Sequence, residues 1–303
     1  MTTYGLYRTP GAFRRALTDN LRALATESRW NLPQLQRQMA YDRLLERLYL
    51  VNDGWIVKGA VALLARDIGV RASKDIDVYR EGDRGQIETE LRDAALRDIG
   101  DWFRFEVGPI QAVSDGAAGV RLRIKAYVGD TLWASFHVDL VGADIRMTGQ
   151  PEAMPPIARV AMPNVEQSGY RVYPLVDHVA DKVAATFDGY GQDKQRPSTR
   201  FRDLVDLVAI SLAATINAEP QMQALRSEAA RRRVNLPDHF GVPDRELWRP
   251  GYAAEARRSL LPIAHDLDEA LEVLRPFIDP LLVGTADGTW NPTTRQWTPS
   301  QST

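Results

Sequence analysis

The sequence predicts an α+β protein: a mixed sheet with flanking helices, followed by a mainly helical C-terminal domain. Three observations carry this. Val120 to Tyr127 alternates apolar and polar residues in strict turn, the pattern of a half-buried strand with one wet, basic face. Leu175, Val179, Val183 and Phe187 recur every four residues, as do Leu204, Val208 and Leu212, which is helical spacing. Strand patterns give way to helical ones near residue 170.

Pro10-Gly11 starts a first helix carrying Leu17, Leu21 and Leu24, and Leu44 to Leu50 lies in a second that runs to the Asn52-Asp53-Gly54 turn. Trp55 to Val57 reads as a short buried strand and Gly59 to Arg66 as an apolar helix. A strand follows over Asp75 to Tyr79, a helix over Ile87 to Ile99 closed by Gly100, and a strand over Trp102 to Val107. The Gly129-Asp130 turn joins the alternating strand to Leu132–Val141 as an antiparallel hairpin, with Ser135, His137 and Asp139 on one face of the second arm. Gly149, Pro151, Pro155, Pro156 and Pro163 crowd one stretch, which reads as the domain boundary. The expected domains are 1–165, with its N-terminal helices, and a helical 166–283; the Thr, Gly and Pro-rich 284–303 reads as an extended tail.

The chain has 303 residues, 44% of them apolar, enough for one large domain or two smaller ones. Its net charge of −2 gives no general pull toward nucleic acid, so any such contact must come from a local patch. The absence of cysteine excludes disulfides, thiolate metal sites and thiol nucleophiles. His137, His178, His239 and His265 have no ligand spacing and read as structural or surface residues. No apolar run approaches the ~18 residues of a membrane span, and Met1-Thr2-Thr3-Tyr4-Gly5 lacks a signal pattern. A cytoplasmic protein without membrane contact is expected.

The chemistry concentrates between Trp55 and Tyr79. Asp75 and Asp77, two residues apart on a strand, point to one face while Ile76 and Val78 point to the other. Two neighbouring carboxylates repel each other, and a divalent cation neutralises them. Upstream, Lys58-Gly59 opens a helix, where glycine lets backbone N–H groups approach phosphates. Together these features suit metal-dependent transfer from a nucleoside triphosphate. Alternating acids on a wet strand face are common, and Asp-x-Asp alone is a weak signal. Lys58-Gly59, and Asp139 on a neighbouring strand, favour the metal reading. Gly59 could equally be a turn glycine, and Ser73, two residues before the first acid, reads from its chemistry as an ordinary loop serine.

In the helical half, Lys182 falls on the polar face of its helix with His178, where a surface lysine is the usual explanation. Arg200-Phe201-Arg202-Asp203-Leu204-Val205-Asp206 opens another helix. Asp203 and Asp206 share a face, and Arg202 can pair with Asp206 at i, i+4. A salt-bridged helix start accounts for them. The preceding loop also carries Lys194 and Arg196, so cations gather with Arg200 where a triphosphate or a nucleic-acid end could be held.

The ordered motifs Lys58-Gly59-x-x-Ala62-Leu63, Ser73-Lys74-Asp75-Ile76-Asp77, Asp181-Lys182-x-x-Ala185 and Arg202-Asp203-x-x-Asp206-Leu207 resemble the nucleotidyltransferase toxins of the AbiEii/MenT type. These lie within the wider DNA polymerase β-like superfamily. Ala60 stands where that family usually has a second glycine. The resemblance implies a nucleotidyltransferase-like sheet and transfer of a nucleoside monophosphate from an NTP to an acceptor, the 3′ end of tRNA in the MenT branch, which blocks translation. It implies Mg²⁺ on Asp75 and Asp77, with Asp139 as a third candidate ligand. Asp75, Asp77, Lys182 and Asp203 become the candidate catalytic residues, and Lys58, Gly59, Ser73, Arg200 and Arg202 the candidate nucleotide-binding ones. Ser73 matches a serine phosphorylated in the family when its antitoxin is present, which implies a cognate antitoxin. Arg121, Arg123, Lys125 and Arg231-Arg232-Arg233 could supply a basic surface for tRNA. A small-molecule or protein acceptor, or a non-catalytic scaffold, are the alternatives.

Overall fold

The computed structural model describes residues 7–112, 119–141, 145–163 and 165–299. Met1–Gly5, where a signal pattern was looked for, lies outside them. The chain folds as two compact units. The first comprises Met1–Ala65, Ala72–Ile145 and Glu152–Val172; the second comprises Arg66–Arg71, Arg146–Pro151 and Tyr173–Thr303.

In the first unit, helices α1 (Pro10–Glu27) and α2 (Leu32–Tyr49) precede strand β1 (Ile56–Lys58), helix α3 (Gly59–Ala65) and strand β2 (Asp75–Tyr79). Helix α4 (Arg84–Ala95), the long strands β3 (Phe103–Ala112), β4 (Gly119–Val128) and β5 (Thr131–Val141), and the short strands β6 (Glu152–Met154) and β7 (Tyr170–Val172) complete it. Local chemistry sets the helix starts. The Thr9 hydroxyl accepts from the Ala12 N–H at 3.2 Å just before Pro10, and Asn31 and Gln34 form a reciprocal capping box on α2.

The strands form one mixed sheet in the order β3-β4-β5-β2-β1-β7-β6. Strand β2 runs parallel to β5 and antiparallel to β1, and β1 runs parallel to β7. Val120, Leu122, Ile124, Ala126 and Val128 of β4 and Phe136, Val138 and Leu140 of β5 lie in the core with Phe13, Leu17 and Leu21 of α1 and Tyr41, Leu44 and Leu48 of α2. The opposite face of the same strands carries the polar residues, as the alternation predicts. Helix α2 is tied in by a buried cluster. Asp101, fully buried, accepts from Arg43 Nε at 2.6 Å and from Arg47 Nη2 at 2.7 Å, and their charges hold its carboxyl below the ordinary range against the opposing effect of burial.

The second unit holds α5 (Leu175–Phe187), α6 (Phe201–Ala213), α7 (Ala218–Arg232), α8 (Arg245–Arg257) and α9 (Leu267–Leu282). Strands β8 (Ile216–Asn217), β9 (Thr289–Asn291) and β10 (Gln296–Thr298) form a small sheet in the order β10-β9-β8.

Two sequence expectations change here. The proline-rich stretch is not a single boundary, because the chain passes between the units inside it and again after Val172. Residues 146–151 belong to the second unit because the Thr148 and Gly149 N–H groups and the Thr148 hydroxyl donate to Asp177. Residues 152–172 return to the first, where β7 pairs with β1 through Val57 and Val172 and β6 makes the sheet edge that proline tolerates. Residues 66–71 likewise join the second unit, with the Val70 carbonyl accepting from the Leu260 N–H at 2.7 Å. Residues 284–299 are also not an extended tail. Strands β9 and β10 pair through Trp290 and Trp297, and both indoles lie against Phe277. Among the described residues, no helix is long and apolar enough to cross a membrane.

Candidate active site

In the first unit the sheet places the predicted acids side by side. Strand β2 presents Asp75 and Asp77 half-buried on the polar face while Ile76 and Val78 enter the core. The parallel register sets Asp75 opposite His137 and Asp77 opposite Asp139, so the strand alternation of β5 does bring Asp139 beside the pair. On the other side of β2, Lys58 is the register partner of Asp77 and is buried.

Gly59 is fitted to Asp77. Its φ is +62°, where L residues are strained, and a Cβ built on it would lie 1.8 Å from Asp77 Oδ2. Ala60 meets no such demand and is simply buried in the short helix α3.

Three contacts were not read from the sequence. Arg121 grips Asp139 with both arms of its guanidinium, Nε on Oδ1 and Nη2 on Oδ2, each at 2.7 Å. Its Nη2 also lies 3.7 Å from Asp75 Oδ2. These hydrogen bonds, before the opposing effect of burial, raise its pKa further. His137 Nδ1 sits 3.1 Å from Asp75 Oδ1. The signal for both was present: strand alternation puts Arg121 and His137 on the acidic face, and the register of the β4–β5 hairpin brings them to it. Arg121 is thus part of the acidic site rather than of a free basic surface.

Ser73 precedes the acids in the irregular segment that leads into β2. Its hydroxyl donates to the Asp75 carbonyl at 2.6 Å, and its own carbonyl accepts from Arg37 Nη1 at 3.2 Å and from the Tyr41 hydroxyl at 3.4 Å. Burial first, with the nearby Asp75 and Asp77 adding to it, pushes the Tyr41 phenol well up.

Mg²⁺ takes hard oxygen ligands and commonly uses one or two carboxylates, with waters and substrate phosphates filling the rest of its shell. Asp75 and Asp77 suit that demand, and the missing Cβ at Gly59 makes room for the Asp77 carboxylate itself, whose Oδ2 takes that place. Among the described residues, no group of three or more His, Cys, Asp or Glu side chains is arranged to hold a metal. The donor set therefore fits an ion completed by substrate, not a closed protein cage.

The second unit contains a separate charge cluster. Lys182 of α5 is buried, contrary to the surface lysine expected of a polar helix face. Its Nζ donates to Asp203 Oδ1 at 2.7 Å and to Asp206 Oδ2 at 2.8 Å, both on α6. Arg71 adds a two-pronged contact to Asp206 at 3.0 and 2.9 Å. The polar face of α5 is packed rather than wet, so its charge needs partners inside the fold. Burial alone would raise the Asp206 pKa, but Lys182 and Arg71 bring it down to about 2. Arg202 does not pair with Asp206; it is exposed and reaches Glu255 of α8 at 3.1 Å. Arg200 stands over Tyr190 and lies 3.6 Å from Asp203 Oδ2. Lys194 contacts Asp188 at 2.8 Å, so the loop cations are partly neutralised. Arg231 and Arg232 are held by Glu228, and Arg232 also by Asp181 and Asp188, which removes most of the basic run expected there.

No curated protein matches the chain significantly. Among solved structures, it resembles JHP933 from Helicobacter pylori at 16% identity and a TM-score of 0.46, over 82% of this chain and 94% of that one. It also resembles MenT4, a nucleotidyltransferase toxin from Mycobacterium tuberculosis H37Rv, at 15% identity and a TM-score of 0.49, over 88% and 98%. Both likenesses are too distant to transfer residue roles. The family profile described as "Nucleotidyl transferase AbiEii toxin, Type IV TA system" matches residues 43–273, which span the Asp75-x-Asp77 strand and the Lys182 cluster, and the chain belongs to this family of nucleotidyltransferases.

Proposed function

We propose that this toxin-family nucleotidyltransferase transfers a nucleoside monophosphate from an NTP to the 3′ end of tRNA with Mg²⁺ held by Asp75 and Asp77, and so blocks translation. The observation that carries the reading is the pair of carboxylates on one open sheet face, with Gly59 shaped around Asp77. In the reaction the acceptor's 3′-hydroxyl oxygen forms a bond to the α-phosphorus, the bond from that phosphorus to the bridging oxygen breaks, pyrophosphate leaves, and the hydroxyl proton passes to solvent. Asp75 and Asp77 would hold Mg²⁺, which would supply charge neutralisation at the phosphate oxygens. Gly59 leaves room for the Asp77 carboxylate to lie against the start of α3, and His137 orients Asp75 from the next strand. Lys182 and Asp203 enter the proposal through their family motifs, as do Lys58, Arg200 and Arg202.

The acceptor side rests on Arg123 and Lys125, which are exposed on the same face of β4 as Arg121. Because Arg121, Arg231 and Arg232 are bound to acids, the basic surface is smaller than the sequence suggests, and this favours keeping a small-molecule or protein acceptor as the second reading. Incubation with Mg²⁺, each labelled NTP in turn and total tRNA separates the two. Label on tRNA is expected; its absence, with label on protein or small molecules, selects the second reading.

Regulation is proposed at Ser73. A phosphate there would lose the hydroxyl's 2.6 Å bond to the Asp75 carbonyl and add about −1.5 to −2 charges beside Asp75 and Asp77. It would compete with the triphosphate and switch off transfer. Coexpression with the cognate antitoxin is expected to yield a Ser73 peptide one phosphate heavier. Mass spectrometry finding unmodified Ser73 in the inhibited protein would move regulation elsewhere.

A further inference from the structure

Three carboxylates stand in adjacent register on β2 and β5, yet one of them is already matched by a cation from the protein. Asp77 and Asp139 are register partners across the parallel β2–β5 pair, and Asp139 and Arg121 across the antiparallel β5–β4 pair. Arg121 reaches both oxygens of Asp139 at 2.7 Å, the two-pronged geometry that gives guanidinium–carboxylate pairs their strength and direction. The same Nη2 is 3.7 Å from Asp75 Oδ2, so one positive charge serves two of the three acids. A carboxylate beside another on a sheet repels it unless a cation intervenes. Here that cation is a side chain, and while it is bound, Asp139 has both oxygens committed.

We infer that Arg121 is a positioning residue that withholds Asp139 from metal, so that before nucleotide binds the site takes a single divalent ion on Asp75 and Asp77 instead of ions shared by all three acids. This rests on the metal reading proposed above for Asp75 and Asp77. Arg121 touches the reacting groups only through Asp139 and Asp75, and its effect is on how many ions bind and how tightly. An ordinary surface ion pair on a sheet face would contribute little to stability, and losing its cation would tighten an ion at Asp75 without any part for Asp139. The two readings of the same contact therefore separate on whether the gain in metal binding needs Asp139.

The test is titration of the full-length protein with Mn²⁺ and no nucleotide, following free Mn²⁺ by electron paramagnetic resonance, with a thermal melt on each variant. Arg121→Ala is expected to bind Mn²⁺ about tenfold more tightly, or to take up a second ion, because it frees Asp139 and removes a positive charge near Asp75. Adding Asp139→Asn to Arg121→Ala is expected to restore the wild-type titration. If Arg121→Ala does not fold, Arg121→Gln removes the charge with less loss of packing and is held to the same expectation. Unchanged or weaker Mn²⁺ binding by a folded Arg121 variant overturns the inference. So does a gain that persists when Asp139 is removed. Asp77→Asn, titrated in parallel, reports on the underlying reading: Mn²⁺ binding that survives it refutes the site itself, independently of what Arg121 does.

Discussion

Gly59 and Asp77 show how one atom's absence shapes a site. A side chain at Gly59 would be strained by its φ of +62° and would collide with Asp77 Oδ2 at 1.8 Å. Gly59→Ala is therefore expected to lower stability by about 1–2 kcal/mol from the left-handed backbone alone, and by more if Asp77 cannot move aside. It should also displace Asp77 and reduce nucleotide transfer, whereas Asp77→Ala should abolish transfer and keep a cooperative melt, since Asp77 is only half-buried. Thermal melts and label incorporation into tRNA read both effects. Full transfer by Asp77→Ala would remove that residue from the metal site. Ser73 makes a similar point from the other direction: it reads as an ordinary loop serine by chemistry, yet its hydroxyl is tied to the backbone of the first acid.

Helices α5 and α6 are joined by charge as well as by apolar packing. Leu175 to Phe187 carries Val179 and Val183 into the core, and Lys182, beside them on this largely buried helix, is packed against Asp203 and Asp206. Removing the lysine leaves two buried acids with less compensation. Lys182→Ala is therefore expected to lower stability by about 3–5 kcal/mol, which an exposed lysine would not do. The pH dependence follows from Asp206. Its folded pKa of about 2 lies below the ordinary value of 3.8, so its contribution is complete above about pH 4 and is lost as pH falls through the folded value. That contribution is about 2 kcal/mol. Acid unfolding followed by circular dichroism should show a shallower loss between about pH 4 and 2 for Asp206→Asn than for the wild type. Equal acid limbs would assign the cluster no such part.

Across the whole chain, order extends further toward the C-terminus than composition suggests. Trp290 is fully buried, donates from its indole N–H to the Ser211 carbonyl at 2.8 Å, and packs on Phe277 and Trp297. Trp290→Ala is expected to cost about 3–5 kcal/mol in the second unit, measured by urea unfolding. A loss below about 1 kcal/mol would mean that β9 and β10 are dispensable. The first unit has its own buried anchor in Asp101 with Arg43 and Arg47, which ties α2 to the start of β3. The two units thus depend on different buried groups, although chain segments cross between them more than once.

Periodicity was enough for α1, α2, β2, α5 and α6 and for the β4–β5 hairpin, because each element buries one face, and a buried face leaves a repeat of about 3.6 or 2 in the sequence. The same alternation set Asp75, Asp77 and Asp139 on one side, and ordered motifs placed the chain among AbiEii nucleotidyltransferases. Pairing between distant residues left no such trace. That Arg121 holds Asp139, that Lys182 is buried between Asp203 and Asp206, and that Arg202 turns to Glu255 all depend on register and helix packing. The interleaving of residues 66–71 and 146–151 with the second unit, and the burial of Trp290, arise in the same way. A charged side chain has the same local signature whether it faces water or a buried partner. Only the chain's return from a remote segment decides which.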